Sequence, residues 1–153
     1  MRSDPYISNM NYDDLKARIK EHEGFRDQVY KDSLGFATIG YGHLVLPNDP
    51  YEEGVTYSKE DLEKVFDGDF DTACSNANQL IKDLPLHHQA KCVLIEMVFQ
   101  LGIGGVSKFK NMWKALGEGD YQTASEEMLD SRWAKQTPKR ATDLSNVMKS
   151  CKI

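Results

Sequence analysis

EGFRDQVYKDSLGFATIGYGH, residues Glu23 to His43, is the stretch on which the reading of the whole chain turns. It is rich in β-branched and aromatic residues and broken by turn formers, so it predicts short strands meeting at a turn around DSLG, residues 32–35. The segment before it predicts a helix over 12–23. Asn11 is its N-cap, with Asp14 three residues on, Leu15 and Ile19 form an i, i+4 apolar stripe, and Gly24 is placed as a left-handed stop. Residues 1–12 read as a polar arm with Pro5 as a breaker. Beyond the strands, Pro47, Asn48, Asp49 and Pro50 form a loop.

From residue 58 the apolar period changes to that of a helix. Ser58 and Asp61 form an S-x-x-D capping signature, and Leu62, Val65, Phe66, Ala73, Ala77, Leu80 and Ile81 carry one face as far as Pro85. Helices only are predicted after that. One carries Ala90, Val93, Leu94, Met97, Val98 and Leu101 and is broken by GIGG at 102–105. Shorter ones lie around Phe109–Leu116 and Tyr121–Asp130, and a last one opens on Thr137 and Pro138. Strands segregated from helices make the fold class α+β. The expected organisation is an arm over 1–12 and a single domain over 13–153. A sheet lobe spans about 24–57, a linking helix 58–82, and a helical lobe 84–153 joined by the first helix. A cleft between two such lobes is a usual place for a ligand.

Composition narrows the function. The 153 residues carry 19 lysines and arginines against 24 aspartates and glutamates, a net charge of −5, which argues against generic nucleic-acid binding. The longest apolar run, Cys92 to Val106, is interrupted by Glu96 and Gln100, so no membrane span is expected. Cys74, Cys92 and Cys151 are odd in number and widely spaced, which suits reduced thiols rather than a disulfide scaffold. The N-terminus lacks the apolar core of a secretory signal. DGDFD at 67–71 imitates the start of a calcium loop, but Thr72 and Asn78 stand where glycine and glutamate are required. His87 and His88 are adjacent and cannot share a helical face, so no metal and no cofactor is expected.

Chemistry concentrates in the first segment. Glu23 closes a helix, where the dipole disfavours a carboxylate, and partial desolvation would add to that, so both effects favour the protonated form needed by a general acid. The plainer reading is a solvated helix-end glutamate. Asp32 is either an Asx-turn residue or a second, ionised carboxylate, and paired carboxylates are the equipment of glycosidic hydrolysis. In FATIGYGH, read as one strand, alternation puts Phe36, Thr38, Gly40 and Gly42 on one face, which leaves a bare face beside the Thr38 hydroxyl. The glycines could equally permit a bulge or tight packing.

These residues resemble a known pattern. Glutamate, eight residues, aspartate, five residues and threonine (Glu23, Asp32, Thr38) is the marker of the phage-type lysozymes of glycoside hydrolase family 24. FDGDFDTA around Asp69, MVFQLG at 97–102 and SRWAKQTPKRA at 131–141 follow in the family's order, and the match spans about residues 13–150. The resemblance implies a lysozyme-like α+β fold and cleavage of the β-1,4 bond between N-acetylmuramic acid and N-acetylglucosamine in peptidoglycan. It makes Glu23 the general acid, and it has Asp32 and Thr38 position and activate an attacking water, with inversion at the anomeric carbon. It places Leu44, Phe99 and Gln100 at the substrate. It gives His43 and Asp69 a structural ion pair and brings Arg140 near the residue before Glu23, which is His22 here and not an acid. Leu34, Met112 and Glu127 depart from the family's cleft residues, and Lys135, Lys139 and Arg140 are the candidates for local positive charge in an acidic chain. The partners implied are peptidoglycan as substrate, no nucleic acid, no stable membrane insertion, a monomer, and holin-dependent release. The enzyme would wait in the host cytoplasm and act on the wall in the periplasm. A lytic transglycosylase, a noncatalytic wall-binding domain and a phage tail-associated domain are the alternatives.

Overall fold

The computed structural model describes residues 5–32 and 34–151, with 5–11 described as helix backbone only. The part of the expected arm before Pro5 lies outside the described residues. The order is α1 (Pro5–Glu23), β1 (Arg26–Lys31), β2 (Ala37–Gly40), β3 (His43–Leu44), α2 (Lys59–Ile81), α3 (His88–Ser107), α4 (Lys110–Gly117), α5 (Tyr121–Leu129), α6 (Arg132–Gln136) and α7 (Pro138–Ser150). The fold is lysozyme-like α+β, with one small sheet near the N-terminus and helices thereafter. The chain divides within α1 and α2 into two compact units, a sheet unit over Asn9–Thr72 and a helical unit over Ala73–Ile153 that also takes in the residues up to Ser8.

In the sheet unit, α1 starts earlier than the sequence suggests. Pro5 opens it instead of breaking the chain before it, because a proline in the first turn has no N–H to lose and a φ already suited to a helix. The far end stops at Gly24, whose φ of 73° takes the left-handed conformation and whose N–H donates to the Lys20 carbonyl at 2.9 Å. The antiparallel sheet runs in the order β1-β2-β3. DSLG makes the first reversal, with Gly35 at φ 87° donating to the Asp32 carbonyl and the Asp32 N–H donating to the Phe36 carbonyl, both at 2.9 Å.

FATIGYGH is not one strand. Thr38 pairs with Leu44 and Ile39 with His43, so the chain reverses through Gly40, Tyr41 and Gly42. Gly40 and Gly42 take φ of 64° and 73°, which a side chain would resist, and the expected continuation of the Thr38 face through both glycines is therefore corrected. The reversal drives Tyr41 inward. Its ring lies 5.0 Å from Phe25 and 5.5 Å from Phe66, above a core of Leu15, Ile19, Ile39, Leu62, Phe66 and Phe70. Its hydroxyl donates to Glu63 at 2.8 Å, and Lys20 donates to the other Glu63 oxygen at 2.8 Å. Burial, together with the bond to Glu63, pushes the Tyr41 phenol up to about 12, so it acts as a fixed donor. The capping signature works as read, with the Asp61 N–H donating to Ser58 Oγ at 3.1 Å.

The helical unit begins with the last turns of α2, which end at Lys82 with φ 54°. α5 packs on α4 and α7, and Ser145 of α7 donates to the Ser125 carbonyl at 3.0 Å. Met112, Leu116, Met128, Leu144 and Met148 are buried in that core. α3 breaks at Gly102 (φ 79°, ψ 165°), inside the GIGG stretch, and then resumes to Ser107. By length and composition α3 is long and apolar enough to cross a membrane, a test that a core helix also meets, and half of its apolar stretch is buried in the fold. The polar interruption of that apolar run is neutralised internally. Glu96 is fully buried and accepts from Arg140 Nε at 2.9 Å.

A buried acid that loses its cation costs about 3–5 kcal/mol. Arg140→Met is therefore expected to lower the melting temperature by about 10 °C at roughly 2–4 °C per kcal/mol. Arg140→Met with Glu96→Leu should recover most of that loss in a thermal melt.

Candidate active site

Glu23 is the last residue of α1 and is half-buried. Its carboxylate lies against the backbone of the β2–β3 reversal. A Cβ built on Gly42 would fall onto the Glu23 carboxyl oxygen and within 2.7 Å of its Cδ. Glycine at this position thus serves two ends, a left-handed turn and an unobstructed approach by the acid.

Asp32 stands at the opposite end of β1 and is also half-buried. Its Oδ1 accepts from the Leu34 and Phe36 N–H groups, each at 2.9 Å, so the Asx-turn role and a carboxylate fixed in direction coexist in one residue. Both turn bonds fall on Oδ1 and neither on Oδ2. Thr38 is 4% exposed on β2, and its hydroxyl donates to the Phe36 carbonyl at 2.9 Å. Its oxygen lone pairs are then left to accept. Tyr30 pairs with Thr38 across β1–β2, and Leu44 pairs with Thr38 across β2–β3. Directly opposed residues point to the same side of a sheet, so Tyr30, Thr38 and the exposed Leu44 form one row.

His43 ties this sheet to α2 and to the following loop. Its Nδ1 lies 2.8 Å from Asp69, and its Nε2 lies 2.9 Å from Asp49. The hydrogen bond to Asp69, followed by that to Asp49, outweighs desolvation and raises the imidazole from 6.5 to about 9. Asp49 is pulled below its ordinary range by the Leu46 N–H and by His43. Asp49 is a member of this clamp that the sequence reading left as a loop residue; its presence beside His43 depends on a turn closed by the Leu46 N–H to Asp49 bond of 2.9 Å.

A raised histidine stabilises the fold fully below its unfolded value of about 6.5, and that contribution is lost as pH rises through about 9. The Asp49 contribution has the opposite sign and is lost in acid. A His43→Gln variant should therefore melt well below wild type at pH 6, by an amount on the order of 2–3 kcal/mol, with the gap closing above pH 9. A gap independent of pH would contradict the clamp.

The helical unit holds the remaining candidates. Phe99 is half-buried near the middle of α3. Gln100 is braced by its neighbours, with Oε1 accepting from Trp133 Nε1 at 2.8 Å and Nε2 reaching Thr137 at 3.5 Å. A cavity of about 420 Å³ opens beside them, lined by Phe109, Met112, Glu127, Arg132, Trp133 and Gln136 among others. Met112 and Glu127 line this cavity, so the two departures from the family's polar residues fall on one wall. Arg140 does not reach solvent. It is 8% exposed and bound to Glu96, whereas Lys139 is exposed and lies 3.3 Å from Asp143. Sequence reasoning missed α6 and the buried Glu96. The signal for Glu96 was an acid set alone in the apolar run of Cys92–Val106.

Glu23 thus ends α1, Asp32 sits at the first hairpin turn and Thr38 lies on β2. Residues 20–148 match the phage lysozyme family model, and the chain belongs to that family. It is 29% identical to a probable T4-type lysozyme 2 of Dictyostelium discoideum over 89% of this chain and 94% of that one. It is 28% identical to the pre-baseplate central spike protein Gp5 of Enterobacteria phage T4, over 85% of this chain and 26% of that protein. It is 28% identical to a SAR-endolysin of Bacteriophage PS119, over 72% of this chain and 62% of that one. The chain is a glycoside hydrolase of the lysozyme type.

Proposed function

We propose that the protein is an N-acetylmuramidase that hydrolyses the β-1,4 bond between N-acetylmuramic acid and N-acetylglucosamine in peptidoglycan, with inversion, to lyse a bacterial host. The observation that carries the reading is the Glu23 carboxylate resting on the Gly42 backbone while Asp32 and Thr38 occupy the adjoining turn and strand. Glu23 delivers its proton to the leaving glycosidic oxygen. Asp32 Oδ2 takes a proton from a water, and the lone pairs of Thr38 Oγ1 accept its second hydrogen, since the hydroxyl's own hydrogen is held by Phe36. The C1–O bond breaks as the water oxygen bonds to C1 from the opposite face. Inversion of this kind needs a water's room between the carboxyls, roughly 6.5–9.5 Å.

Leu44, Phe99 and Gln100 are proposed to contact the glycan, with the cavity at Trp133 and Glu127 taking part of it. His43, Asp69 and Arg140 act through structure. Release from the host cytoplasm to act on the wall belongs to the same proposal and is supported by likeness to proteins named endolysins, and holin dependence of that release is part of the proposal. The test is the mass of fragments released from purified peptidoglycan. Hydrolysis adds one water per cut, whereas a transglycosylase leaves an anhydro end. Water-added products are expected, and anhydro products would overturn the hydrolytic reading.

A further inference from the structure

Of the three polar groups at and around Thr38, two accept and do not give. Asp32 is the proton acceptor of the proposed mechanism, and the hydrogen of Thr38 is committed to the Phe36 carbonyl at 2.9 Å. A sugar oxygen or a water seated there also needs a donor. Tyr30 stands directly opposite Thr38 in the β1–β2 register, on the same face of the sheet, and Asp32 follows at the turn one residue past the end of β1.

β1 is irregular between its Arg26 and Tyr30 pairings, with Arg26 opposite Gly40 and Tyr30 opposite Thr38. Such bulges re-aim side chains beside functional sites. On this strand the Arg26 guanidinium lies 4.8 Å from the centre of the Tyr30 ring, within cation–π range. Burial, then the charges of Glu23 and Asp32, raise the Tyr30 phenol above its ordinary value, against the opposing pull of Arg26. The hydroxyl lies in the field of both carboxylates.

We infer that Tyr30 Oη is the hydrogen-bond donor that seats a substrate oxygen, on the reacting sugar or on the incoming water, beside Asp32 and Thr38, with Arg26 as the residue that positions its ring. This inference rests on the muramidase reading and adds a residue that the glutamate–aspartate–threonine marker omits.

Tyr30→Phe removes the hydroxyl and keeps the ring over which Arg26 stacks. The full chain is assayed on purified peptidoglycan, with Glu23→Gln run in parallel and thermal melts for every variant. Tyr30→Phe is expected to lower kcat by about tenfold, with KM and melting temperature near those of wild type, as befits one lost hydrogen bond. Arg26→Gln is expected to lower kcat less and to raise KM. Should Tyr30→Phe retain wild-type kcat while Glu23→Gln is inactive, the donor role is overturned and the muramidase reading stands. Should Glu23→Gln itself stay active, it is that reading which fails. A Tyr30→Phe variant whose melting temperature falls in step with its activity would assign Tyr30 to packing and also overturn the role.

Discussion

Glu23→Gln is expected to reduce the rate of peptidoglycan cleavage by about 10²–10⁴-fold, with the fold intact. The carboxylate lies against the Gly42 backbone of the β2–β3 reversal, and glutamine matches it in size while holding no transferable proton, so the substitution leaves the buried core of Leu15, Ile19 and Phe66 unchanged in composition. The expected pattern is a collapse in kcat, little change in KM, and a melting curve within about 0.5 kcal/mol of wild type. Loss of activity accompanied by unfolding would instead make Glu23 a structural residue.

The second large effect is expected at Gly42. Gly42→Ala brings two penalties that act on different properties. A left-handed φ of 73° costs a side chain about 1–2 kcal/mol, which lowers stability slightly. The new Cβ also occupies the place of the Glu23 carboxyl group, at 2.7 Å from Cδ, and either the acid or the hairpin must move. A displacement near 1 Å at a reacting group costs about 10²-fold in rate. Gly24→Ala serves as the control. It is also left-handed, at φ 73°, but its Cβ meets nothing within 4 Å. It should show a similar loss of stability and nearly full activity. Equal activity loss in the two variants would mean that backbone strain, and not the collision with Glu23, governs the site.

What could be read in the sequence followed from signals that act over a few residues. Ser58 and Asp61 announce the start of α2, Gly24 the end of α1, DSLG the first reversal, and Thr137-Pro138 the last helix. Glu23, Asp32 and Thr38 were picked out by resemblance to the family marker, since local pattern alone fitted a helix-end acid and an Asx-turn residue equally well. The glycine-rich half of the motif was misread, because alternation presumes an extended chain and Gly40 and Gly42 are left-handed. α1 began early because Pro5, taken as a breaker, is equally suited to a first helical turn. Asp49 and Glu96 became visible only in three dimensions. Each is explained by a partner distant in sequence or lodged in a loop, His43 in one case and Arg140 in the other. Tyr30 looked like an ordinary strand aromatic until the register set it opposite Thr38.

The most direct measurement is the configuration of the new reducing end, followed by NMR in the first moments after cleavage of a soluble glycan strand. A water activated by Asp32 and held by Thr38 attacks opposite the leaving oxygen, so the β-linked sugar should emerge as its α-anomer before mutarotation. Release of the β-anomer would mean a covalent or substrate-assisted route and would contradict the assignment of Asp32 as the base.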